Sequence, residues 1–233
     1  MDRLPNAADF NARRVTNPGQ SEIVRQRFYD YQLYATAGVS QLTFFSSPVG
    51  QGLTSAIGST AGTSKTLWDT NLELPNTLPS GKAFMIESIE VFFFPGSVST
   101  SNTYTLASPV LFNATPAAAV AAQLADVNSF YQSGMLELNV LSKNYLRETP
   151  LLAFPPKANF NIDAALSGSG TAEVGAVNGR ASGRPYYISP EIALQPAVNF
   201  EVVLRWPAAV ATPSGFNARV GVVLDGYFMR ASQ

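Results

Sequence analysis

The 233-residue chain contains no histidine and no cysteine, and only 13% of its residues are charged. A Ser-His-Asp triad, a Cys-His dyad, the common zinc sites and a disulfide scaffold each need one of the two missing side chains. Histidine is the group whose ordinary pKa lies nearest neutrality, and cysteine is the strong thiol nucleophile. Catalysis by carboxylates alone survives this filter, so the composition points away from an enzyme and toward a structural protein. No run of 18 or more apolar residues occurs, so no segment reads as a membrane-spanning helix. The opening residues Met1-Asp2-Arg3-Leu4-Pro5-Asn6 lack the apolar stretch of a signal peptide, which gives the expectation of a product made and used inside the producing cell. A net charge of −1 sets up no global field toward nucleic acid or anionic lipid.

In place of charge the chain carries Ser, Thr, Asn, Gln, 17 Gly and 16 Pro, against 46% apolar residues. That mixture predicts many turns and a neutral polar surface, which can be buried in contacts at a smaller desolvation cost than a charged one. The length suits one large all-β domain, and a chain of this size buries about 70–75% of its unfolded surface. Residues 1–24 are polar, hold Pro5, Pro18 and Gly19, and read as an extended arm before a domain over 25–233. The first 27 residues hold five of the eleven arginines, Arg3, Arg13, Arg14, Arg25 and Arg27, against Asp2, Asp9 and Glu22, a net of +2. Such an arm makes at most weak contact with nucleic acid or an inner membrane, and packing across a neighbouring subunit is the favoured reading.

From Phe28 the pattern turns to β. Phe28–Tyr34 and Ser40–Phe45, divided by a Gly-containing link, predict a hairpin. Residues 49–63 read as a surface loop, and 64–74 as a short strand carrying Trp68. Ala83–Phe94 is the strongest strand, and regular alternation would set Glu87 and Glu90 on opposite faces. A strand-like piece at Tyr104–Phe112 lies in a long loop over 96–115. Pro116–Gln132 is alanine-rich, opened by proline and closed by Gly134, and predicts the one good helix. Met135–Leu141 alternates as a half-buried strand, Tyr145–Phe154 continues as β, and 161–188 reads as a second long loop. Phe200–Trp206 and Ala218–Ala231 close the chain as strands. Six to nine strands with long loops spell an antiparallel sandwich.

No motif assigns an active site, and no cofactor or metal site is expected. Gly168-Ser169-Gly170-Thr171 has neither Rossmann nor P-loop spacing, and no Gly-x-Ser-x-Gly elbow occurs. Asp69, Asn71 and Glu73 place three oxygen donors at alternate positions, which can seed a calcium site but lack the rest of an EF-hand loop. Asn113-Ala114-Thr115 fits a glycosylation sequon and is read as chance, since Pro116 follows it. Tyr29, Tyr31, Tyr34, Phe44 and Phe45 can stack bases or sugars, although strand spacing favours core pairs. Arg180 and Arg184 with Tyr186-Tyr187 offer a ligand patch or a solvated loop end. Glu148, Glu173, Glu191 and Asp225 are candidates for a glycosidase pair, with nothing in the sequence to bring two of them together.

The order of these features is familiar. The polar arm, the aromatic first strand, the block Lys82–Gly96 (KAFMIESIEVFFFPG) and the closing runs PAVNFEVVLRWP and ARVGVVLDGYFMR resemble jelly-roll capsid proteins of icosahedral bacteriophages over about residues 25–232. The resemblance implies an all-β antiparallel sandwich of eight strands with long loops, one short helix and an N-terminal arm. The length favours a single roll over a compact double one. It further implies a non-catalytic virion protein, assembled in the host cytoplasm, whose partners are copies of itself and other capsid proteins, with no small-molecule substrate. A decoration, cementing or minor vertex protein is the first alternative, and a carbohydrate-binding sandwich the second.

Overall fold

The computed structural model describes residues 21–56, 62–98, 116–156, 159–167, 174–182 and 185–231. Its elements are β1 (Ser21–Tyr34), β2 (Gln41–Phe44), β3 (Lys82–Val98), α1 (Pro116–Ser133), β4 (Met135–Val140), β5 (Lys143–Pro150), β6 (Asn159–Ser167), β7 (Val174–Ser182), β8 (Tyr186–Leu194), β9 (Phe200–Arg205) and β10 (Asn217–Ala231). One four-stranded sheet has the order β1-β10-β3-β8, a second has β2-β9-β4-β5, and β6-β7 form a ribbon of their own. All these pairings are antiparallel, and they are nested. The first strand pairs with the tenth, the second with the ninth, the third with the eighth, and the fourth with the fifth. The chain therefore runs out and back as a doubled ribbon folded at the β4–β5 turn, with β6-β7 inserted on the return.

Alternation along the strands builds the core between the two sheets. Phe28, Phe84, Ile86, Val220 and Leu224 of the first sheet pack with Phe44, Leu136, Leu138, Val202 and Leu204 of the second. Phe28 spans the layers, with its ring 4.9 Å from Phe45 and 5.8 Å from Phe200. Each such side chain contributes roughly 1.5–3 kcal/mol on burial. The helix plugs one end: Phe130 stacks on Phe93 at 4.3 Å, and the Trp206 indole N–H donates to the Phe130 carbonyl at 3.1 Å. Asp126, buried on the same helix, accepts from the Ser214 amide at 2.8 Å. Its pKa is raised by burial, against the two Ser214 hydrogen bonds. A Cβ at Gly134 would lie 2.3 Å from Leu151 Cδ1 and 2.7 Å from Trp206 Nε1, so these side chains would have to shift to admit one.

Several sequence expectations are corrected. The first strand begins at Ser21, not Phe28, because Ile23 and Val24 pair with Met229 and Phe228. The runs at 28–34 and 40–45 form no hairpin; they lie in different sheets and pair with the last two strands. Their link crosses the end of the sandwich, where Gly38, at φ +76°, sits against Val210 too closely for any Cβ. Residues 64–74 hold isolated bridges, Asp30 to Thr70 and Leu74 to Thr77, rather than a strand. β5 stops at Pro150, and a 3-10 turn, Leu151–Ala153, drives Leu151 into the core. The segment 161–188 contains strands, which its small residues conceal, since Gly, Ala and Ser carry little β-propensity. The Tyr104–Phe112 piece and Asn113 lie outside the described residues.

Candidate functional site

The connection from β2 to β3 is long, and its middle is laid against the free edge of β1. Tyr31 N–H donates to the Asp69 carbonyl at 2.7 Å, and Asn71 N–H to the Tyr29 carbonyl at 3.3 Å. Asn71 also accepts from the Tyr29 amide at 2.9 Å and donates to the Arg27 carbonyl at 2.8 Å. This segment shields an edge that would otherwise invite strand addition. It is locked by two buried carboxylates. Asp30 accepts from Lys65 Nζ at 2.5 Å, with the side chains 0% and 4% exposed, and from the Phe45 amide at 2.8 Å. Asp69 accepts from Thr54 Oγ1 at 2.7 Å, the Ser55 amide at 2.8 Å and the Thr66 amide at 3.1 Å. Arg219 of β10 approaches Asp69 to 3.7 Å, donates to the Trp68 carbonyl at 2.6 Å, and lies 4.1 Å over the Tyr31 ring. Burial lowers the Arg219 pKa, and Asp69 and the two tyrosines oppose the shift.

The backbone so fixed holds apolar side chains in water. Trp68 is 79% exposed, Leu67 66% and Leu53 65%. Beside them opens a cavity of about 550 Å³, lined by Val24, Val49, Leu67, Leu72 and Phe228, with Glu73 and Lys82 paired at its rim. A second cavity, about 400 Å³, is lined by Asn76, Asn139, Asn199 and Glu201 at the turn end of β4 and β9. Neither brings two carboxylates together among the described residues.

Carboxylates do gather on the outer face of the first sheet, away from the core. Regular alternation would separate Glu87 from Glu90, but a bulge at Glu87 shifts the register between Ile86 and Ser88 against both neighbouring strands. The inward set changes from Phe84 and Ile86 to Ile89 and Val91, so both glutamates come to the same face. There Arg25 Nη2 lies 3.2 Å from Asp225 and 3.4 Å from Glu87, and Arg27 Nη2 lies 3.9 Å from Glu90. The result is a charge belt across three strands, in which arginines of β1 reach carboxylates of β10 and β3. Burial raises the pKa of Glu87, Asp225 and Glu191 push it the same way, and Arg25 opposes them.

A raised carboxylate pKa means that the folded chain holds the proton more tightly than the unfolded one. The resulting stabilisation is complete below the unfolded pKa and is lost as pH rises through the folded one. The contribution of Glu87 to the melting temperature should therefore grow as pH falls from 7 toward 5. Glu87→Gln should flatten that slope in calorimetric scans; an unchanged slope would place the proton uptake elsewhere.

The structure disperses the other residues singled out by sequence. Of the five arginines, Arg25 and Arg27 belong to β1 and its charge belt; Arg3, Arg13 and Arg14 lie outside the described residues. The three oxygen donors at alternate positions are engaged within the chain. Asp69 is spent on Thr54, Ser55 and Thr66, Asn71 on the backbone of β1, and Glu73 on Lys82. Among the described residues no group of three acidic side chains is placed to hold a metal ion. The aromatic cluster divides: Tyr34, Phe44 and Phe45 are buried in the core, while Tyr29 and Tyr31 sit 6.0 Å apart on the outer face. Tyr186 packs on Phe154 at 4.8 Å and Tyr187 is exposed; Arg180 falls in β7, and Arg184 lies outside the described residues. Glu148 is on the second sheet, Asp225 and Glu191 are on the first, and Glu173 lies outside the described residues.

Sequence reasoning missed Lys65 and Asp30. A lone lysine in a run of small residues was the available signal, since a long cation among Gly, Ser and Thr needs a partner. Among the described residues no helix is long and apolar enough to cross a membrane. Compared with known proteins, the chain matches no family model, no curated protein and no solved structure.

Proposed function

We propose that this protein is a non-catalytic structural subunit that self-assembles into the icosahedral capsid of a bacteriophage, and that its fold is a single jelly roll. The nested pairing carries the reading. Eight strands in two facing sheets, ordered β1-β10-β3-β8 and β2-β9-β4-β5, match the winding of two Greek keys into a roll. One pair of four-stranded sheets favours a single roll over a double one. Jelly rolls also serve lectins and cupins, so the fold alone does not choose a function. The low charge, the missing histidine and cysteine, and the rigidly mounted Leu53, Leu67 and Trp68 favour a subunit built for contacts between proteins. In a closed shell each contact can be modest while their number makes the whole persistent. Its partners on this reading are copies of itself and other capsid proteins, within a virion assembled in the host cytoplasm.

The purified chain should form closed particles, or stable rings of defined copy number, in negative-stain microscopy and light scattering. A monomer at all concentrations that binds only to pre-existing shells would replace this reading with that of a decoration protein. Specific affinity for a glycan, with no particles, would replace it with a carbohydrate-binding sandwich.

A further inference from the structure

We propose that Trp68 is the anchor of a two-fold contact between copies of this chain, its indole seated in the cavity of about 550 Å³ that lies beside the same residue's turn on the partner. This rests on the self-assembly reading above and assigns one of its interfaces. The turn at Thr66–Asp69 is closed by Asp69 N–H donating to the Thr66 carbonyl at 2.9 Å and by Thr66 N–H donating to the Asp69 carboxylate. Trp68 N–H donates to Thr66 Oγ1 at 3.2 Å, and its carbonyl accepts from Arg219. Every polar backbone group of Trp68 is thus engaged, while its ring stands 79% exposed. A fixed backbone under an exposed indole spends little entropy on binding, and tryptophan is among the residues that most often dominate a protein interface.

The cavity supplies the complement. Val24, Val49, Leu72 and Phe228 make apolar walls, and its volume falls in the range of roughly 300–1,000 Å³ typical of sites that enclose small ligands. A buried indole needs an acceptor for its N–H. The rim carries Gln26 and the Glu73 carboxylate, both exposed. The occupant follows from the placement. Leu67 lines the cavity and Trp68 is the next residue, so knob and hole are carried by neighbouring residues of one turn. A surface bearing both parts beside each other is self-complementary: a second copy turned about a two-fold axis offers its hole to the knob and its knob to the hole. The rim charges Glu73 and Lys82 already pair within the chain, which leaves the contact without a bias toward a charged partner.

The chain holds two tryptophans, and Trp206 is buried, so emission quenchable by acrylamide reports Trp68. That quenching should fall as protein concentration rises through the association range. Trp68→Ala should weaken association about tenfold or more while leaving the unfolding midpoint unchanged, as for any exposed side chain. Val49→Trp, which fills the hole from within, should weaken it similarly. An equimolar mixture of the two variants should recover part of the loss, because the open hole of one accepts the indole of the other. Association of the parent chain with Trp68 equally quenchable throughout, or both variants associating as the parent does, would overturn this contact and leave the shell reading standing. A parent chain that never associates would overturn both.

Discussion

Lys65→Met should destabilise the domain by about 3–5 kcal/mol, read as a lower midpoint in urea unfolding at pH 7. The reason is the asymmetry of a buried ion pair. Together, Lys65 and Asp30 offset each other's desolvation; alone, Asp30 is a carboxylate with no exposure, left with the neutral donors of the Phe45 amide and the Gln32 side chain. Methionine keeps most of the volume, so the loss reports charge rather than packing. Burial already raises the Asp30 pKa, with Lys65 opposing it. Without Lys65 the carboxyl protonates more readily, and a group whose folded pKa is raised gives its stability below the unfolded pKa and loses it as pH rises through the folded one. The deficit of Lys65→Met should therefore shrink between pH 7 and pH 4. The double variant Asp30→Asn, Lys65→Met should recover much of the loss, since the asparagine oxygen can still accept from Phe45. A single variant within 1 kcal/mol of the parent at pH 7, on the scale of an exposed pair, would show that water reaches the site.

Gly226→Ala should cost at least as much as the upper part of the roughly 1–3 kcal/mol range for overpacking. A Cβ at Gly226 would lie 1.8 Å from the Met85 carbonyl oxygen and 2.9 Å from its carbon. These are backbone atoms of the adjacent strand, so no rotamer change makes room. Gly226 stands opposite the bulge at Glu87, where β3 carries its extra residue. Forcing the strands apart there undoes the register that brings Glu87 and Glu90 to one face. The variant should thus lose stability and also the pH dependence assigned to Glu87. Gly134→Ala is a useful contrast: its Cβ meets mainly the end of the Leu151 side chain, which can move, although Trp206 Nε1 also stands close. An alanine at 226 tolerated as well as one at 134 would contradict the close strand approach.

The elements legible in sequence were those whose side chains announce their own environment. Alternation in Met135–Leu141 and Phe200–Trp206 gave the strands, and the proline, alanine and glycine punctuation gave the helix. What stayed hidden was pairing over long separations. Nothing in Phe28–Tyr34 says that its neighbour in the sheet is Ala218–Leu224 rather than the nearby Gln41–Phe44, because either would satisfy the same alternation. The bulge was hidden too, since one extra residue in an apolar run changes which side chains point inward without changing composition. At the site, exposed Trp68 looked like a strand residue because its true anchors, Lys65, Asp69 and Arg219, are spread over 155 positions of sequence. Side-chain type is local information, whereas the partner of a buried charge is not.

The nested pairing also has a consequence in time. β1 is made well before its ladder partner β10, and Arg219, which braces the Trp68 turn, lies on that later strand. Long-range pairings of this kind form slowly, after the cost of closing a large loop has been met. The Trp68 turn is consequently braced only once β10 has been made. Under the proposed self-assembly, nascent chains crowded on one message would thereby be kept from joining before β10 has paired, a clock written into strand order.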